Sequence, residues 1–221
     1  MKKYLLILGT VLLIIPSLVL AQTVKQEKTG LKENIELKKA ELQKNIKEQR
    51  EATVKRIEEV RKEAKAKVEA KRAEVKEKIQ QLKDERKKAI ALRIDEQLNR
   101  LNEQWTKHFS NVLNQLNDIL GKGELRAEKT TATGQDVTAV STAVEKAKQT
   151  IAAAKSAVEE QVKKSYIATI ESEDKLKDAF KTQRDLLHKD LFGLRDGLMK
   201  DARKAVQDAL QSLRVVPEVD K

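Results

Sequence analysis

The sequence predicts an all-α protein: a long helical stalk built on an eleven-residue (hendecad) repeat, followed by a C-terminal three-helix antiparallel bundle. Three observations carry this prediction. Ile35, Ile46, Ile57, Val68, Ile79, Ile90, Leu101 and Val112 are aliphatic residues spaced eleven apart. Eleven residues make three helical turns with roughly 20° left over, so all of them lie on one slowly drifting stripe. Charged residues are 37% of the 221-residue chain and aromatics 3%, a composition of long solvated helices more than of a globular core. Seven Gly and two Pro leave the chain few places to turn.

Residues 1–21 read as a signal peptide. Lys2 and Lys3 form a positive n-region, an apolar stretch follows, and Val19-Leu20-Ala21 supplies the small or β-branched residues of a cleavage site, giving Gln22 as the mature start. The rival is a retained anchor, but the run is about 17 residues and carries Gly9 and Pro16, short and interrupted for a span. No Cys follows the site, which excludes a lipoprotein anchor. Export to the periplasm, cell surface or medium is the expected localisation, and the absence of cysteine excludes disulfides, thiol catalysis and Cys-based metal sites. Loss of Lys2 and Lys3 lowers the formal charge from +11 to +9, which favours anionic partners.

Residues 22–30 are expected as a flexible N-terminus and 31–88 as the charged stalk or coiled coil. Between Gly30 and Gly121 there is neither Gly nor Pro, so a helix from about Leu31 to Leu120 would reach roughly 135 Å. Arg50–Val60, Arg61–Lys71 and Arg72–Leu82 are three copies of one unit, and Lys83–Arg93 and Ile94–Gln104 are more worn copies. Position one is basic in four of these five units. Glu at position three and a base at position seven give i,i+4 pairs such as Glu63–Lys67 and Glu74–Lys78, each worth a few tenths of a kcal/mol. A heptad register fails, because stepping by seven from Ile35 lands on Arg56, Glu63, Glu77 and Asp84.

The bundle is expected over 89–215. Its first helix, 89–120, carries a broad apolar face of Ile94, Leu98, Leu101, Trp105, Phe109, Val112, Leu116 and Leu120. Gly121-Lys-Gly123 and the stretch to Gly134 read as a connection. Asp136 is the N-cap candidate for a second helix, 137–170, where Val137, Val144, Ile151 and Val158 alternate with Val140, Ala147 and Ala154 at heptad spacing. A third helix, 173–215, repeats Leu176, Leu187, Leu198, Ala209 and Phe180, Leu191, Ala202, Leu213 at intervals of eleven, and 216–221 form a tail.

Chemistry is thinly represented. His108 and His188 lack the i+4 His or carboxylate of a metalloenzyme helix, and carboxylates have basic neighbours at helical spacing, as on a solvated face. No catalytic residue, metal ligand or cofactor-binding residue is expected, and no small-molecule substrate. The candidate site residues are therefore those of contact. Ile35, Ile46, Ile57, Val68, Ile79, Ile90, Leu101, Trp105 and Val112 form the helix-packing seam, and Lys83, Arg86, Lys87 and Lys88 form the densest basic patch, open to an anionic partner. Nucleic acid is a poor partner for a surface whose bases are interleaved with acids and which lacks aromatic platforms.

Over its length, with the Trp105–Leu120 region and the terminal Leu-rich helix as the recognisable parts, the chain resembles uncharacterised exported coiled-coil proteins of bacteria. Its signal peptide, basic pI and long helices are also similar in gross architecture to Skp-like periplasmic proteins, without the strand pattern of that family's β-barrel body. The eleven-residue period and the stretch Lys146–Gln161 are similar to apolipoprotein-like and desiccation-protection proteins. The expected function is that of a non-enzymatic structural or interaction protein of the bacterial cell envelope, self-associating or binding another envelope protein. An amphipathic binder of anionic lipid or polymer surfaces and a holdase-like chaperone are the alternatives.

Overall fold

The computed structural model describes residues 17–132 and 134–215; the signal-peptide core and the C-terminal tail lie outside them. Every regular element among the described residues is helical: α1 (Ser17–Gln80), α2 (Glu85–Thr131), α3 (Thr138–Lys163), α4 (Leu176–Asp196) and α5 (Leu198–Val215). Residues 22–30, expected to be flexible, belong to α1.

The continuous helix expected over Leu31–Leu120 is two helices. After Gln80 the chain tightens, with the Leu82 N–H donating to Ile79 O at 3.1 Å. Asp84 then adopts an extended conformation (φ −86°, ψ 111°), and its side chain accepts from the N–H groups of Arg86 and Lys87, an N-cap that restarts the helix. No Gly or Pro marks the break. What favours it is burial, since folding back lets Ile79, Ala91 and Leu98 enter a shared core. The two arms run antiparallel: Arg72 meets Asp95, Arg61 meets Glu103, and Arg50 meets Asp118.

α2 is the central element, in contact with each of the other four helices. It also runs on through Gly121-Lys-Gly123, expected as a connection, to Thr131. These glycines are points of close approach. A Cβ at Gly121 would run into the Ile46 side chain of α1, and one at Gly123 would stand 3.0 Å from Leu213 of α5. The turn instead falls at Gly134, whose φ of +80° suits glycine. Asp136 accepts from the Thr138 N–H at 2.9 Å and so serves the first turn of α3.

α3 packs antiparallel to α2 and buries Val140, Val144, Ala147, Ile151, Ala154 and Val158, the heptad positions. It ends at Lys163, short of the expected 170. The chain from Lys164 (φ −73°, ψ 142°) is extended and buries Tyr166, Ala168 and Ile170 alternately, at strand-like period two. The third expected helix is split at Gly197 into α4 and α5. Phe180, Leu191, Ala202 and Leu213 are all buried, while Leu198 in the parallel series is 37% exposed. Lys87–Glu173 at one end and Gly123–Leu213 at the other set α4 and α5 parallel to α2.

The glycine contact yields a test. Gly121→Leu forces α1 away from α2 and costs about 1–3 kcal/mol by overpacking, seen as a lower urea midpoint. Gly121→Ala sets a helix-propensity gain of about 1 kcal/mol against displacement of one flexible methyl, and leaves the midpoint near wild type.

Candidate functional site

The interface between α1 and α2 is polar where the other faces of α2 are apolar. Arg50, Arg61 and Arg72 stand at position one of successive hendecads, so the eleven-residue spacing places all three on one stripe of α1. That stripe faces α2. Arg72 Nη2 donates to Asp95 Oδ2 at 3.0 Å, Arg61 approaches Glu103 at 4.0 Å and the Thr106 hydroxyl at 3.5 Å, and Arg50 lies 4.0 Å from Asp118. Asp95 is only 2% exposed, so its charge rests on Arg72. Buried Thr106 and Ser110 return their hydroxyls to the helix, to Asn102 O and Thr106 O.

A second polar network fixes the end of α3. Asn102 donates to the carbonyls of Gln161 and Lys164 at 3.2 Å each, which satisfies acceptors that a helix C-terminus leaves open. Gln161 Nε2 donates to Asn102 Oδ1 at 2.9 Å and to the Tyr166 hydroxyl at 2.8 Å. The Tyr166 hydroxyl in turn donates to Asp190 of α4 at 2.7 Å, and Lys164 pairs with the same carboxylate at 2.9 Å. Burial, reinforced by Asp190, pushes the Tyr166 phenol well above its ordinary range and keeps it a donor. Burial pushes the Asp190 carboxyl up, but the hydrogen bonds from Tyr166 and Lys164 outweigh it and hold the group below its ordinary 3.8.

Two concavities flank α2. Between α2 and α4 an open groove of about 820 Å³ has a floor of Ile90, Ile94, Leu101, Leu176 and Phe180. Lys177, Lys181, Arg184 and His188 rise along its α4 side. On the opposite face, α1, α2 and the end of α3 enclose a cleft of about 380 Å³ in which Arg61, Lys65, Arg72, Arg100, Lys163 and Lys164 outnumber Glu96 and Glu103.

The seam residues divide among these environments. Ile57 and Ile79 are buried within the chain itself, so the partner of the seam is not a second chain at those positions. Ile35, Ile46, Val68, Leu101, Trp105 and Val112 are half-buried, and Ile90, expected to pack, is 57% exposed in the groove. α2 is rotated by about one residue from its expected face, because Asp95, Asn102, Thr106, Ser110 and Asn114 share its buried side with Leu98, Phe109 and Leu113. Trp105 stacks obliquely on Phe109 at 5.3 Å and meets His108 edge-on.

The basic patch sits at the α1–α2 turn and is partly engaged. Lys87 pairs with Glu173 and Lys88 with Glu85 at 2.8 and 2.7 Å, and the Lys83 N–H donates to Glu173. The hydrogen bond to Glu173 raises the Lys87 pKa and lowers that of Glu173. His108 and His188 stand on different helices, and among the described residues no three His, Cys, Asp or Glu side chains could share a metal ion. No helix of the described residues is long and apolar enough to cross a membrane. Comparison with protein families, curated proteins and solved structures finds no match.

The arginine row and the tyrosine network each give a measurable expectation. Arg72→Ala leaves Asp95 buried without its cation and destabilises by about 3–5 kcal/mol in urea unfolding, whereas adding Asp95→Leu restores most of that loss. Because the folded-state pKa of Asp190 is depressed, its stabilisation is present above the unfolded value and is lost as pH falls through the folded one. The gap between wild type and Asp190→Asn is therefore widest near neutrality and closes below about pH 4, which unfolding curves across pH will show.

Proposed function

We propose that this chain is a non-enzymatic structural and interaction protein of the bacterial cell envelope that seats an acidic amphipathic helix of another protein in the α2–α4 groove. The observation that carries the proposal is the groove itself, an apolar floor left open with Ile90 57% exposed, bordered by lysine and arginine. From Ile90 to Leu101 the floor runs roughly 16 Å, three helical turns, which has room for anchors at i, i+4, i+7 and i+11 of a docked helix. Lys177 and Lys181 have no ion-pair or hydrogen-bond partner among the described residues, so acidic residues flanking those anchors meet unneutralised charge. A second copy of this basic chain brings lysine against lysine and fits poorly.

The stalk belongs to this reading in shortened form. Asn34, Ile35 and Lys38 lie level with the end of α2 at Glu128–Ala132, and α1 continues N-terminally from there to Ser17, roughly 25 Å of helix. With the mature chain starting at Gln22, roughly 18 Å of that helix remains to hold the groove-bearing body off a membrane or wall. Export rests on the Lys2-Lys3 n-region and the Ala21–Gln22 cleavage site.

A photo-crosslinking residue at position 90, with position 62 on the exposed face of α1 as control, tests the proposal in intact cells after fractionation. The expected result is a discrete adduct in the envelope fraction, formed from 90 only, whose mapped peptide is amphipathic and acid-flanked. Adducts to a second copy of this chain, to lipid, or to a broad smear of polypeptides would overturn it; the last two are the outcomes of a surface binder and of a holdase.

A further inference from the structure

We infer that the cleft between α1 and α2, at the end of α3, is a binding site for a phosphate-type oxyanion. The fold leaves two cations opposed. The antiparallel register that sets Arg61 against Glu103 and Arg72 against Asp95 brings Lys65 level with Arg100. Both line the cleft, and among the described residues neither is held in an ion pair or a side-chain hydrogen bond, Lys65 feeling Glu103 only at longer range. Two like charges facing each other across a cleft repel, and one anion between them turns that repulsion into two attractions.

The surroundings add more positive charge than they neutralise. Arg61, with 21% of its side chain exposed, reaches Glu103 only at 4.0 Å, and Glu103 is already committed to Lys107 at 2.9 Å. Lys163 and Lys164 close the cleft from α3, paired outward to Glu160 at 2.5 Å and Asp190 at 2.9 Å. Of the carboxylates nearby, Asp95 is paired with Arg72 through Oδ2, and among the described residues Glu96 is the lining acid with no ion-pair or hydrogen-bond partner.

The floor selects the kind of ligand. Asn102 and Thr106 spend their donors on the carbonyls of Gln161, Lys164, Asn102 and Glu103, so neither has one to offer a ligand. The donors left for a ligand are the ammonium of Lys65 and the guanidinium groups of Arg100 and Arg61, with the unpartnered Nε–H of Arg72 buried behind them. That set recognises a tetrahedral oxyanion with several acceptor oxygens, a planar fork from arginine on one side and a point charge from lysine on the other. At about 380 Å³ the cleft has room for a diphosphate or for a phosphate carrying a small substituent.

The site is tested by titrating inorganic pyrophosphate into the full chain by calorimetry, beside Lys65→Gln/Arg100→Gln and a control, Lys62→Gln/Lys67→Gln, which removes the same charge from the exposed face of α1. Loss of two charge-assisted contacts weakens binding by at least about tenfold in the first variant, and the control stays within about twofold of wild type. Circular dichroism confirms that both variants fold. A parallel arm measures sedimentation with vesicles of phosphatidylglycerol and phosphatidylcholine against phosphatidylcholine alone. Pyrophosphate binding that depends on Lys65 and Arg100 identifies a soluble phosphate ligand, and vesicle binding with the same dependence identifies a lipid headgroup. Equal losses in the two variants, or no binding of wild type in either arm, would overturn the inference.

Discussion

The fold depends on the pairing of arginines spaced by the hendecad with the polar stripe of α2. A helix hairpin held only by aliphatic contacts can slip by one turn, because Ile, Leu and Val are interchangeable partners to within about 1.5 kcal/mol. Asp95 does not tolerate such a slip. At 2% exposure it is stabilised by Arg72 alone among the cations, and moving α1 along α2 by a turn strands that carboxylate in the core. Arg61 and Arg50, more exposed and at longer distance, add little energy each but repeat the same register twice more along the helix. The polar contacts specify the alignment, and the buried Ile79, Leu98 and Phe109 supply the driving force.

With α2 so placed, the remaining helices follow from what each of its faces offers. Gly121 gives α1 its closest approach and Gly123 gives α5 its own, two residues apart on a helix and therefore on different sides. Small residues recur on α3, where Ala147 and Ala154 are fully buried and allow close packing on α2 and α5. The extended stretch after Lys163 carries the chain back to the start of α2; the Asn102–Gln161–Tyr166–Asp190 network ties down its first end, and Lys83 and Lys87 hold the other through Glu173. α4 therefore begins beside Lys87 and runs parallel to α2. The exposure of Ile90 follows from that geometry, since no helix among the described residues fills the angle between α2 and α4 on that side.

The helical class, the heptad face of α3 and the hendecad faces of α4 and α5 were legible because each is a one-dimensional period in apolar residues. The α1–α2 turn was hidden because it uses Asp84 as a cap within a sequence that continues the repeat, and only long-range burial decides between a straight helix and a hairpin. The glycines of α2 misled for the complementary reason. Gly121 and Gly123 look like a loop until neighbouring helices occupy the space their missing side chains leave. The arginine row had a visible signal, a base at position one of four repeat units. Its buried partners Asp95 and Thr106 did not, since polar residues on a helix carry no mark of burial before the helix is packed. Neither concavity is a motif; both arise from the register of three helices.

The two concavities share one stretch of α2 and stay independent because a helix has two sides. Ile90, Ile94, Gln97 and Leu101 point into the groove, while Glu96, Asn99, Arg100 and Glu103 border the cleft. At about 100° per residue these sets are centred roughly half a turn apart. Between them lie the buried Leu98 and Asn102, one in the apolar core and one in the network that caps α3. A ligand on one face thus does not compete for the same side chains as a ligand on the other. The chemistry of the two faces also differs: one pairs an apolar floor with a basic edge, the other a polar floor with charged walls. Substitution at Ile90 and substitution at Lys65 and Arg100 therefore alter one concavity without the other.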